Sequence, residues 1–222
     1  MTVYCETFSL RRGGGSQRGM GCGLVQYGGH DAPRMGNIRI DYQHGIRQAV
    51  QHLAALQHTR IAFIAGPAHL KSALARRNAF QKAMLEIGLP SDLIMDGDHT
   101  LEGGMRGLTH LMTSQHKRPT ALLCSNDMTA IGVLREAYDR EIKVPGDLSV
   151  IGFDDIRLAQ FTTPPLTTVQ LSQTDLATLA FRALLNETEQ EAQTQHGKEY
   201  NLITSLMLRS STGLMSPEPG KA

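Results

Sequence analysis

The sequence predicts an α/β protein built on a doubly wound parallel sheet. Three observations carry that prediction. Strand-like and helix-like stretches alternate four times between Ile38 and Gly152, the connections between them are short, and the run Ile61-Ala62-Phe63-Ile64-Ala65 is apolar at every position. Such alternation demands parallel strands joined by right-handed helical crossovers. A strand apolar at every position suits a sheet covered by helices on both faces.

Ile38-Arg39-Ile40 alternates as a short strand. Over residues 43–57, Ile46, Ala49, Val50, Leu53 and Leu56 recur at three- and four-residue steps, which gives a helix one buried stripe. The strand at 61–65 ends on Gly66-Pro67. Ser72 is the expected N-cap of a second helix reaching Ile87, and Gly88 and Pro90 stop it. Leu93-Ile94-Met95 reads as a short strand, followed by a helix over 101–114. Ala121–Cys124 is the next strand. A helix from Asp127 to Arg140 then places Ala130, Ile131, Leu134 and Tyr138 on one face, and Leu148–Gly152 is a further strand. Beyond the Pro164-Pro165 turn come a strand near 167–170, a helix near 174–187, a polar loop to Lys198 and a last strand near 199–209.

Residues 1–37 read differently. They hold nine of the 22 glycines, together with Arg11, Arg12 and Arg18, and show neither periodicity. Ordering glycine is entropically costly, so an irregular Gly/Arg-rich segment is expected here, and a disordered tail at 214–222. The Gly19/Gly21/Gly23 run lacks the preceding strand and following helix of a dinucleotide fingerprint.

A chain of 222 residues fits one large domain or two small ones. A net charge of +1 gives no broad pull toward nucleic acid. Cys5, Cys22 and Cys124 form an odd, sparse set, which fits a reducing cytosol. No signal-peptide core and no bilayer-length apolar stretch is evident, so a soluble cytoplasmic protein is expected. His44, His52 and His58 do not share a helical face, and no carboxylate joins His110 and His116 at ligand spacing. Neither a metal site nor a cofactor is expected.

In an open parallel sheet, ligands bind beyond the carboxyl ends of the strands. The residues just past those ends are Gly66 and Pro67 with Arg76 on the next helix, then Asp98 and His99, then Ser125, Asn126 and Asp127, then Asp154 and Asp155. A guanidinium, an amide, carboxylates and a flat ring suit a polyhydroxylated small molecule, whose hydroxyls each need a donor and an acceptor. Duller roles stand beside these. Asn126 and Asp127 can cap their helix, Asp154 and Asp155 can turn the chain, and His99 can be a hydrogen-bonded histidine. Periodicity does not separate Arg76 from Arg77. No nucleophile elbow, no lysine and no phosphate-cradling loop accompanies the set, so binding without catalysis is expected, with no catalytic residue.

These strand-end motifs, in this order, resemble the effector-binding core of the LacI/GalR repressor family. The stretches that carry the resemblance are Ile38-Arg39-Ile40-Asp41…Gly45, His58-Thr59-Arg60-Ile61-Ala62-Phe63-Ile64-Ala65-Gly66 and Arg76-Arg77-Asn78-Ala79-Phe80. The most specific are Ser125-Asn126-Asp127-Met128-Thr129-Ala130-Ile131-Gly132 and Val144-Pro145-Gly146-Asp147-Leu148-Ser149-Val150-Ile151-Gly152-Phe153-Asp154-Asp155. Pro164-Pro165-Leu166-Thr167-Thr168-Val169 and Leu208-Arg209-Ser210-Ser211-Thr212 close the series. The resemblance covers residues 38–213.

It implies a type I periplasmic-binding-protein-like fold and effector contacts at Arg76, Asn126 and Asp154, with His99 at the aromatic wall. Asp98, Asp127 and Asp155 are secondary candidates. It also implies a sugar or nucleoside-like effector, a homodimer, and operator DNA bound only through a head that residues 1–37 do not resemble. The implied C-terminal subdomain is 41–164 plus 203–213, nearly complete, and the implied N-terminal remnant is 38–40 plus 166–201. In that remnant, Leu176, Leu179, Ala180 and Leu184 are expected to face a largely missing sheet. Gln57 and Ala79 stand where the family usually has glycine, and Tyr42 where asparagine is frequent. The alternatives are a periplasmic-type sugar-binding protein, for which a signal peptide is wanting, and a Rossmann-like enzyme, for which a catalytic set is wanting.

Overall fold

The computed structural model of the chain describes residues 7–8, 24–27, 35–113, 118–189 and 199–215. Its elements are β1 (Thr7–Phe8), β2 (Leu24–Tyr27), β3 (Met35–Asp41), α1 (Tyr42–Ala55), β4 (Ile61–Ile64), α2 (Lys71–Glu86), β5 (Ile94–Met95) and α3 (Leu101–Thr113). They continue with β6 (Ala121–Cys124), α4 (Asp127–Asp139), β7 (Ser149–Asp154), a 3-10 turn (Arg157–Phe161), β8 (Thr167–Gln170), α5 (Gln173–Glu189), β9 (Glu199–Ile203) and β10 (Ser205–Met207). The described residues fall into two compact units, one drawn from Met1–Asp41 and Ser172–Ile203, the other from Tyr42–Leu171 and Thr204–Ala222.

The larger unit holds a six-stranded sheet in the order β10-β8-β7-β6-β4-β5. Its pairings are parallel except at the β10 edge, which is antiparallel to β8. Strand β4 shows why the sequence was apolar throughout. Ile61, Phe63 and Ala65 pack with Ile46, Val50 and Leu53 of α1 and with Phe80 and Met84 of α2. Ala62 and Ile64 pack on the opposite side with Leu108 of α3 and with Ala130, Val133 and Leu134 of α4. Burial of each large apolar side chain contributes about 1.5–3 kcal/mol, so both faces of the sheet need their helices. The chain leaves β4 outward to β5 and then returns past it to β6. Adjacent crossovers therefore lie on opposite faces, and the carboxyl ends of β4 and β6 flank the switch point.

The strand at 167–170 lies not in the remnant but in the larger sheet, where β8 pairs with β7. Pro164-Pro165 is thus an internal turn, and the chain changes unit after Leu171. The expected last strand is two strands. β9 joins the smaller sheet and β10 the larger, with fully buried Thr204 between them. Thr204 explains the break, because its Oγ1 accepts Gly45 N–H at 3.1 Å and its carbonyl accepts from His44 Nδ1 at 2.8 Å. Tyr138 is 78% exposed, since Ala130, Val133, Leu134 and Ala137 make the buried stripe of α4. Helix α2 starts at Lys71 after Leu70, with no side-chain cap, and α5 runs to Glu189, into the expected polar loop. Within the expected tail, Met215 N–H donates to Leu56 O at 3.0 Å. Residues 216–222 lie outside the described set.

The smaller unit carries a four-stranded sheet, β1-β2-β3-β9. β1 and β2 are antiparallel, and β2-β3 and β3-β9 are parallel. The segment expected to be irregular therefore contributes strands at Thr7–Phe8 and Leu24–Tyr27 and the start of β3. Helix α5 packs on β2, β3 and β9, with Leu176, Leu179 and Ala180 half-buried, so these side chains face a four-stranded sheet. Arg11, Arg12, Arg18, the Gly19–Gly23 run, His116, the end of the polar loop and the Leu184 side chain lie outside the described residues.

Candidate functional site

The site grows from strand ends in the larger unit. After β6, Asn126 takes extended backbone and caps α4, its side chain accepting Thr129 N–H at 2.9 Å. The capping role and a site role coexist, because the Asn126 amide also donates to His99 O at 3.1 Å.

His99 has φ +63, a left-handed conformation that histidine adopts more readily than most residues. Its ring lies flat on Gly66, where a Cβ would fall 1.8 Å from Nε2. Nε2 sits 2.9 Å from Ser125 Oγ. Burial first, then the Arg76 charge, push the imidazole down to about 4, against the opposing pull of Asp98. His99 is neutral at pH 7. Among the duller readings, the buried, hydrogen-bonded histidine is what the geometry shows.

Arg76, on α2, is 3% exposed. Its fork donates through Nη1 to Ser125 O at 2.6 Å and through Nη2 to Asp154 Oδ1 at 2.9 Å. The guanidinium carbon lies 3.9 Å from the centre of the Phe153 ring and 5.3 Å from that of Tyr42. A planar, weakly hydrated cation over the Phe153 ring, with Tyr42 nearby and two acceptors at its edge, is an arrangement lysine cannot reproduce. Arg77 points outward to Asp96, which separates the two arginines.

Asp154 ends β7 at φ +112, and Asp155 follows at φ +56. A non-glycine residue at such a φ costs about 1–3 kcal/mol and persists only when its surroundings hold it. Burial pushes the Asp154 carboxyl upward, against the attraction of Arg76. The structure thus brings Arg76, His99, Asn126 and Asp154 to one edge of one sheet, joined through Ser125.

The secondary candidates do not share that edge in the same way. Asp98 accepts from Thr100 and pairs with Arg106 at 2.6 Å, half-exposed at the start of α3. Asp127 turns inward and accepts from Thr168 Oγ1 and from Ile156 N–H. Asp155 pairs with Arg209 at 2.6 Å and accepts from Gln170 at 2.9 Å. Sequence reasoning placed Ser125 at the strand end without giving it a role, and left Phe153 and Tyr42 out of its site. Phe153 was signalled only by sitting one position before Asp154, and Tyr42 only by its departure from asparagine. An open groove of about 560 Å³ beside α3, lined by Met105, Thr109, His110 and Glu136 among others, holds none of the four residues. Among the described residues there is no cluster of ligating side chains that could hold a metal, and no helix is long and apolar enough to cross a membrane.

A mostly parallel sheet with helices on both faces and hydrogen-bonding side chains gathered at its carboxyl edge is the architecture of a periplasmic-binding-protein-like domain. Residues 50–212 match the family model described as a periplasmic binding protein-like domain. The chain is 38% identical over 165 residues to the ribose operon repressor of Escherichia coli K12, covering 73% of this chain and 49% of that protein. Among solved structures, a LacI transcriptional regulator from Rhodococcus species matches at 32% identity and TM-score 0.76, over 84% of this chain and 68% of that one. A lac repressor dimer bound to operator and the anti-inducer ONPF matches at 29% identity and TM-score 0.73, over 80% and 60%. The chain belongs to the LacI family, through its effector-binding domain. It spans about half the length of the curated relatives it matches.

Proposed function

We propose that the chain provides the effector-binding and self-association core of a DNA-binding transcriptional regulator, and that its effector is a polyhydroxylated small molecule, a sugar or nucleoside. The observation that carries this is the Arg76–Asp154 pair at 2.9 Å, beside His99 and Asn126 on one sheet edge. A carboxylate and a guanidinium fork side by side offer acceptor and donors to neighbouring hydroxyls. Operator binding belongs to the parent regulator, and a cytoplasmic location follows from the same reading. The resemblance to a lac repressor dimer supports self-association. So do Leu158 and Phe161, which are 50% and 68% exposed on the 3-10 turn.

Catalysis is not part of the reading. Ser125 Oγ and His99 Nε2 stand at nucleophile–base distance, 2.9 Å. An imidazole held near 4 is a weak base at neutral pH, and Ser125 is fully buried.

Thermal-shift measurements with pentoses, hexoses, nucleosides and nucleobases test the proposal. One of these classes is expected to raise the midpoint of the wild-type chain and to lose that effect in Asp154→Asn. A ligand that stabilises both proteins equally, or no stabilisation by any class, would count against it.

A further inference from the structure

We propose that Asp127 is a positioning residue of the effector edge. Its buried carboxyl ties the first turn of α4 to β8 and to the chain after β7, and so holds the turn from which Asp154 meets Arg76. This rests on the effector reading of Asp154 given above.

Asp127 is fully buried. One carboxyl oxygen accepts Ile156 N–H at 2.8 Å, and the other accepts from Thr168 Oγ1 at 2.5 Å. A Cβ at Gly152 would fall 2.1 Å from that second oxygen, so the carboxyl rests directly on the β7 backbone. Asp154 and Asp155 both have positive φ, and the turn they form must be clamped from its surroundings. Arg209 and Gln170 clamp Asp155. Asp127 clamps the next residue, Ile156. Removing the carboxyl frees the far end of the turn and lets Asp154 leave Arg76.

The charges facing Asp127 are Asp154 and Asp155 from the end of β7, with Arg76 of α2 beyond the first and Arg209 of the C-terminal segment beyond the second. β6 contributes the neutral Cys124 thiol, which burial first and Asp127 next push upward, and β8 contributes only Thr168. Three carboxyls therefore face two guanidiniums. Burial is the main reason Asp127 is pushed up to about 7, with Asp154 and Asp155 adding to it and the Thr168 and Ile156 bonds opposing. In the neutral form both partners remain satisfied, because the carbonyl oxygen accepts Ile156 N–H and the hydroxyl donates to Thr168 Oγ1. Asparagine offers the same pattern, so Asp127→Asn mimics the protonated state, whereas Asp127→Ala removes both bonds.

The test is made by nuclear magnetic resonance on the full chain without ligand, so it is independent of whether an effector is found. In Asp127→Asn, which keeps both bonds, the Ile156 amide stays protected and the reactivity of Arg76 is unchanged. In Asp127→Ala, Ile156 exchange and Arg76 modification by phenylglyoxal each rise roughly tenfold, as loss of a charge-assisted hydrogen bond predicts. Thr168→Val, which removes one partner only, gives a smaller rise in Arg76 modification and serves if the alanine variant does not fold. Unchanged Arg76 reactivity in a folded alanine or valine variant overturns the proposal, and so does a rise in Asp127→Asn, where both bonds are kept.

Discussion

Arg76 and Asp154 form a buried ion pair at 2.9 Å whose cation is almost wholly withdrawn from water, at 3% exposure. Withdrawing a guanidinium is tolerable only with acceptors at its edge, and here these are Asp154 and Ser125 O. Asp154→Ala strands that charge and is expected to lower stability by about 3–5 kcal/mol. Asp154→Leu combined with Arg76→Met removes both charges and is expected to cost far less. Urea unfolding of the three proteins decides the matter. A double variant as unstable as the single one would show that packing, not the unpaired charge, sets the cost.

The buried titratable groups pull stability in opposite directions with pH. Burial lowers His52, His58 and His99 in the folded state, His99 from 6.5 to about 4. Between those values the unfolded chain binds more protons, so the histidine contribution is present above the unfolded value and is lost as pH falls through the folded one. The His99 shift alone corresponds to up to about 3 kcal/mol. Asp127 and Asp154 are raised, so their contribution is present below the ordinary carboxylate range and is lost as pH rises, for Asp127 through about 7. The two trends offset each other in the wild type. Asp127→Asn removes the Asp127 share of the second, and its unfolding midpoint is expected to fall more steeply on acidification. Equal slopes for the two proteins would contradict this balance.

Much of this was legible because strand burial leaves a plain mark in sequence. β4 and β6 are apolar throughout since both faces are covered, and the stripe of α1 is the one the spacing indicates as far as Leu53, the helix ending at Ala55 before Leu56. That Arg76, His99, Asn126 and Asp154 share one sheet edge was legible because parallel strands deliver their next residues to one side. What stayed hidden depends on tertiary partners. Asp127 and Asp155 have the same chemistry as Asp154 and lie as close to strand ends, yet Thr168 and Arg209 draw them inward. β8 reads as polar, but Thr167 and Thr168 are buried because Arg209 N–H and the Asp127 carboxyl satisfy their hydroxyls. Pro164-Pro165 looks like an exit from the domain only while that pairing is unseen. β1 and β2 lie among glycines, which carry no periodicity.

Two glycines set the spacing between the helices that follow β5 and β6. A Cβ at Gly104 would fall 2.0 Å from Thr129 O, and one at Gly132 would fall 1.9 Å from Leu101 O. Both neighbours are backbone, so neither can step aside. Thr129 is capped by Asn126, and Leu101 follows His99 by two residues, so this contact fixes the distance between two site residues. Gly104→Ala and Gly132→Ala are each expected to cost about 1–3 kcal/mol through overpacking. The two changes push at the same contact, so their costs in the double variant are expected to be less than additive. Full additivity would mean that the glycines act independently.

Leu158 and Phe161 protrude from one 3-10 turn, 50% and 68% exposed. Covering side chains of this size contributes about 1.5–3 kcal/mol each at full burial. If they lie in the self-association surface, Leu158→Ser with Phe161→Ser shifts the chain to a smaller species in light scattering without lowering its unfolding midpoint. An unchanged mass at the same concentration would exclude this face.

Gln57 shows what a departure from family habit costs. Helix α1 closes with His58 N–H bonded to Leu53 O at 3.0 Å and Gln57 N–H bonded to Ala54 O at 2.9 Å, which places Gln57 at the left-handed position with φ +69. That double bond pattern favours glycine there. A side chain at such a φ costs about 1–2 kcal/mol, whereas glycine gives back roughly half of that through its extra freedom in the unfolded chain. The exposed Gln57 side chain adds little contact to offset the strain. Gln57→Gly is therefore expected to stabilise the larger unit by about 0.5–1 kcal/mol, read as a higher urea midpoint with unchanged slope. A lower midpoint would mean that the glutamine makes contacts worth more than the strain it imposes.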